Sequence, residues 1–153
     1  MLRDDWGIEE LFPPQAEALP HALSGRNVML TIPTASGKSL VAHLAIVHRL
    51  TSDLEGARAL YVVPLKALAT EKAAELREIA SAVGLRVGLV IGDRGGETGM
   101  IEEADILVCT SEKLDSLLRT RSDLMDRVGI VVSDEFHLLH DPGRGPTLEV
   151  LLS

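Results

Sequence analysis

At 153 residues and 46% hydrophobic side chains, the chain can bury the core of one sheet-and-helix domain, and one domain is expected. No apolar run approaches membrane-spanning length, Asp4 and Asp5 stand where a secretory signal would begin its apolar core, and the lone Cys109 excludes an internal disulfide; a reducing, cytoplasmic setting without membrane partners is expected. The net charge of −8 runs against the simplest nucleic-acid-binding surface, which is ordinarily basic.

Short apolar runs alternate with longer helical patterns, the signature of βαβ units and of an α/β fold with a mainly parallel sheet between helices. A helix is predicted over 14–23, with Gly25 as its stop, and then a strand over 27–32. A second helix follows over 38–51 and a second strand over 59–63. The third helix, 66–83, has the clearest pattern. Leu65, Leu68, Ala69, Leu76, Ile79, Ala80 and Val83 recur at three- and four-residue steps, Glu71, Glu75 and Glu78 take much of the other face, and Gly84 follows as a stop. Strands are predicted over 87–91 and 106–110, with Cys109 as a buried strand residue, and the glycine-rich stretch 95–99 between them reads as a flexible loop. A helix over 111–120, a fifth strand over 129–133 and a short helix over 147–152 complete the chain.

Two segments carry chemistry. Pro33-Thr34-Ala35-Ser36-Gly37-Lys38-Ser39 joins the first apolar run to a helix start. A loop in that position presents backbone N–H groups and the positive end of a helix to an anion, and Gly37 lets the main chain close around phosphate oxygens. Lys38 would reach the β- and γ-phosphates of a triphosphate, and the Ser39 hydroxyl would ligate Mg²⁺. Ile32 stands where the general phosphate-loop pattern has glycine. The second segment, Asp134-Glu135-Phe136-His137, follows the fifth strand, at the carboxyl edge where parallel sheets bind ligands. Asp134 would hold the metal through water, Glu135 would orient and deprotonate the attacking water, and His137 would be a relay contact. Both segments acting on one nucleotide requires the first and fifth strands to be parallel neighbours.

Lys66 and Lys113 sit at helix starts, where a cation opposes the helix dipole unless an anion lies there, so a phosphate is expected. Ordinary solvated lysines remain the alternative. Thr110 and Ser111 are candidate helix caps, which is compatible with a phosphate contact through the same N-terminus.

Together these residues resemble the first motor domain of superfamily two helicases, in the DExH-box branch that contains archaeal repair-associated DNA helicases. The likeness runs in order from Trp6 to Leu152, and in this branch proline-threonine replaces the early glycine of the phosphate loop. It implies a RecA-like P-loop domain using ATP and Mg²⁺, with Gln15 reading adenine. Pro64, Lys66, Thr110, Lys113 and Arg144 are implied to contact a single-stranded or forked nucleic acid, DNA more than RNA, with 3′-to-5′ travel and a repair setting. The coupling motif and a second motor domain, which carries an arginine finger, do not occur before Ser153, so this chain is expected to supply one wall of the cleft and to be slow alone. A small-molecule P-loop kinase or generic ATPase, and a non-catalytic helicase-like scaffold, are the competing readings.

Overall fold

The computed structural model describes residues 10–33, 37–92 and 97–135. They fall into two compact units, Met1–Arg49 and Leu50–Ser153.

The first unit contains α1 (Pro13–Leu23) and nearly all of α2 (Lys38–Leu50). Proline at the start of α1 costs nothing, because the first-turn N–H has no helical partner, and Ala18 and Gln15 form its buried face. The strand expected over 27–32 is not a strand. Among the described residues this unit holds helices only, so the run has no ladder partner within it, and Val28 and Met29 are 41% and 77% exposed. An apolar run becomes a strand only where a neighbour completes its backbone hydrogen bonds.

The second unit is a parallel sheet of β1 (Arg58–Val63), β2 (Val87–Val90), β3 (Ile106–Thr110) and β4 (Val128–Ser133), in the order β2-β3-β1-β4. Between strands run α3 (Lys66–Ser81), α4 (Glu97–Glu103), α5 (Ser111–Thr120) and a 3₁₀ turn at Ser122–Arg127. The two inner strands, β1 and β3, are buried at every position, which is why 59–63 and 106–109 read as unbroken apolar runs. On one face Leu60, Val62, Leu107 and Cys109 pack with Ile101 and Ala104 beside α4, Leu114 and Leu117 of α5, and Leu124 of the 3₁₀ turn. On the other, α3 covers β1 to β3 through Ala69, Ala73, Leu76 and Ala80, all 0% exposed. The alanines let the helix lie close, and burying Leu76 contributes about 1.5–3 kcal/mol.

The predicted strands and helices of this unit agree with the observed ones to within two residues. Gly84, with φ +78°, lies in the turn that ends α3. One reading is corrected: the stretch taken as a loop over 95–99 already contains the start of α4 at Glu97. Ile101 and Ala104, each 3% exposed, give that helix its anchoring face despite Gly99. The helix expected over 147–152 lies outside the described residues, and none of the described helices is long and apolar enough to cross a membrane.

Candidate functional site

Gly37 immediately precedes α2, with φ +65°, and its carbonyl accepts the Leu40 N–H at 3.1 Å, the first bond of the helix. The same carbonyl accepts the Gln15 side-chain amide at 2.9 Å. A Cβ at position 37 would run into that amide, so glycine is required by both conformation and space. Gln15 is 3% exposed, and its other end, Oε1, accepts the Phe12 N–H at 2.9 Å. The glutamine expected to read adenine therefore has both ends of its amide engaged by backbone, at Gly37 and at Phe12. Lys38 and Ser39, both half-buried, open α2, where helical N–H groups lack intrahelical partners and favour an anion. Pro33 is exposed; Thr34, Ala35 and Ser36 lie outside the described residues.

In the sheet unit, Asp134 and Glu135 follow β4 directly, at its carboxyl end. Asp134 is fixed from three sides. Its N–H donates to the Val62 carbonyl at 2.9 Å, its Oδ1 accepts the Glu135 N–H at 2.9 Å, and its Oδ2 accepts the Tyr61 hydroxyl at 3.1 Å. Glu135 has φ +59°, the sole non-glycine residue with positive φ among those described. A left-handed glutamate costs about 1–2 kcal/mol, and residues in such conformations cluster at working sites. Ser39 in the first unit and Asp134 in the sheet unit each carry a hard oxygen of the kind Mg²⁺ prefers. No group of three or more His, Cys, Asp or Glu among the described residues could hold a metal alone; Mg²⁺ ordinarily takes only one or two protein oxygens and completes its shell with phosphate oxygens and water. His137 lies outside the described residues.

The structure brings four of the predicted strand-binding residues together. Pro64, Lys66, Thr110 and Lys113 line one groove of about 380 Å³ with Leu65, Ile91, Glu112 and Ser116. It lies beyond the carboxyl ends of β1 and β3, and α3 and α5 both begin there, at Lys66 and Ser111. Two helix N-termini and two ammonium groups outweigh the Glu112 carboxylate, which makes the groove a place for an anion. Thr110 is the cap of α5, accepting the Lys113 N–H at 3.3 Å. The Lys113 ammonium donates to the Gly92 carbonyl at 2.6 Å, and three donors let an ammonium serve a phosphate as well. Arg144 lies outside the described residues.

Tyr61 was not among the residues singled out by sequence, nor was the left-handed turn at Glu135. The chain has a single tyrosine, placed mid-strand in an apolar run, and a buried phenol needs a hydrogen-bond partner. That was the available signal.

A parallel sheet with helices on both faces, a glycine-closed helix start and an acidic turn at a strand end define a RecA-like nucleotide-binding domain. A family model described as DEAD/DEAH box helicase matches residues 12–153, and the chain belongs to that family. It is 47% identical over 152 residues to the ATP-dependent DNA helicase Hel308 of Methanocella arvoryzae, and 49% identical over 148 residues to the protein of that name from Thermococcus kodakarensis. Each alignment takes in 96% of this chain but only 20% of the first relative and 13% of the second, so the chain spans a fifth or less of their length. The crystal structure of a hypothetical ATP-dependent RNA helicase from Sulfolobus tokodaii superposes with a TM-score of 0.80 at 25% identity, covering 95% of this chain and 43% of that one. The expected archaeal DNA-helicase branch agrees with these relatives.

Proposed function

We propose that the chain is the first ATP-binding motor domain of an ATP-dependent DNA helicase, working in the cytoplasm with a second motor domain of the same protein. The carrying observation is the shared edge: Asp134 and the Pro64–Lys66–Thr110–Lys113 groove all lie at carboxyl ends of strands in one parallel sheet. A carboxylate held at a strand end and a groove suited to an anion on one rim suit a motor that couples hydrolysis to a grip on a phosphodiester strand.

In this reading Lys38 and the backbone of 33–39 hold the phosphates, Gln15 serves the base and the loop, and Glu135 takes a proton from the attacking water. Ser39 and Asp134 would hold Mg²⁺, whose charge would be neutralised against the phosphates. His137 relays between nucleotide and strand. Pro64, Lys66, Thr110, Lys113 and Arg144 contact the DNA backbone, with 3′-to-5′ travel in a repair setting. Similarity to proteins named DNA helicases supports DNA over RNA.

The test is ATP hydrolysis by the full-length protein with and without single-stranded DNA. Strong stimulation by the strand is expected, and unwinding of a forked duplex should require it. Hydrolysis indifferent to every nucleic acid would overturn the motor reading.

A further inference from the structure

β1 and β4 run parallel with Tyr61 level with Val132. Side chains alternate along a strand, so Asp134, two residues beyond Val132, emerges on the same face as Tyr61, one diagonal step away. The phenol closes that step. Tyr61 is 0% exposed, and its hydroxyl reaches Asp134 Oδ2 at 3.1 Å while the ring stays in the core. With Oδ1 on the Glu135 N–H, both carboxylate oxygens are held, each retaining lone-pair capacity for another partner.

Packing alone does not call for the hydroxyl, since a phenylalanine ring would fill the same buried space. The hydroxyl donates to the acidic side chain at the strand end. A surface aspartate would otherwise distribute over its rotamers, and each approach of a cation would have to select one of them.

Resting on the ATPase reading above, we propose that Tyr61 is a positioning residue for ATP hydrolysis, its hydroxyl locking the Asp134 carboxylate in the rotamer that receives magnesium. It touches neither nucleotide nor metal and acts through Asp134. Partners of metal ligands in general orient them in this way.

The experiment uses full-length protein carrying Tyr61→Phe, which removes one oxygen and keeps the ring. Two readouts are needed: the Mg²⁺ concentration that half-saturates ATP hydrolysis, and the gain in affinity for a fluorescent ADP on replacing EDTA by Mg²⁺. The half-saturating Mg²⁺ should rise, and the Mg²⁺-dependent gain should shrink, by about tenfold, the lower end of what losing such a partner costs. Affinity in EDTA should stay at the wild-type value. In an Asp134→Asn background the same substitution should add no further loss to the Mg²⁺-dependent gain. Wild-type Mg²⁺ dependence in Tyr61→Phe would overturn the inference and leave the ATPase reading intact. A loss in EDTA as large as in Mg²⁺ would make the hydroxyl merely structural and overturn it too. Wild-type protein without Mg²⁺-dependent hydrolysis would remove the reading itself, and the inference with it.

Discussion

The Gln15 side-chain amide donates to the carbonyl of Gly37 at 2.9 Å, across 22 residues of sequence. One side chain from the start of α1 thus fixes the last residue before α2, where Lys38 and Ser39 begin. A glutamine at this place holds Gly37 as well as anything it does toward a base. Gln15→Ala should weaken ATP binding about fivefold, the equivalent of roughly one net hydrogen bond at 1 kcal/mol. Titration with a fluorescent nucleotide decides it. GTP binding should weaken in the same proportion if the loop contact dominates, whereas a loss confined to ATP would return Gln15 to base reading alone.

Lys38 and Glu135 should separate binding from chemistry. Lys38→Ala removes the charge aimed at the phosphates and should lower ATP affinity at least tenfold, roughly 1.4 kcal/mol. Glu135→Gln keeps size and backbone hydrogen bonding but cannot take a proton, so binding should survive while hydrolysis falls by about 10²–10⁴. Single-turnover hydrolysis in the full-length protein distinguishes the two. Normal turnover by Glu135→Gln would dismiss it as the base.

Much of the sheet unit was legible because its inner strands are buried on both faces, so 59–63 in β1 and 106–109 in β3 are continuous apolar runs. The groove was legible for a related reason. In a parallel sheet every strand ends on one edge, which brings Pro64 and Thr110 together whatever the intervening helices do. Two features were hidden. Glycines at 95, 96 and 99 read as a loop, although burial of Ile101 and Ala104 holds α4 in place. Tyr61 went unnoticed inside the strand predicted over 59–63 because its reach to Asp134 depends on strand register, which no single segment encodes. The run 27–32 shows the opposite error, since apolar character was taken for pairing.

The groove offers a test through salt. Lys66 is exposed at the start of α3 and lines the cavity with Lys113. If each neutralises one phosphate, Lys66→Ala should weaken single-stranded DNA binding about equally for all sequences, and reduce the slope of log K against log salt by about 0.7. Fluorescence anisotropy at several salt concentrations measures both. A sequence-dependent loss would point to base contacts instead, and an unchanged slope would take the phosphate away from Lys66.

Cys109 supplies a prediction independent of function. It is 0% exposed in β3, and burial pushes its thiol from 9.0 up to about 12. The thiolate is the reactive form, so a disulfide reagent at pH 8 should leave the native protein unmodified and label it once denaturant is added. The linkage has a definite sign. Between pH 9 and about 12 the unfolded thiol loses its proton while the folded one keeps it, so the folded state binds more protons there. The stability this group contributes is complete below pH 9 and is lost as pH rises through that window. Tyrosine and lysine titrate in the same range, and comparison with Cys109→Ala subtracts them. Urea denaturation of both proteins from pH 7 to 11 should show wild type losing more stability with rising pH than the variant. Parallel curves, or rapid labelling of the native protein at pH 8, would mean that the β3 thiol meets solvent.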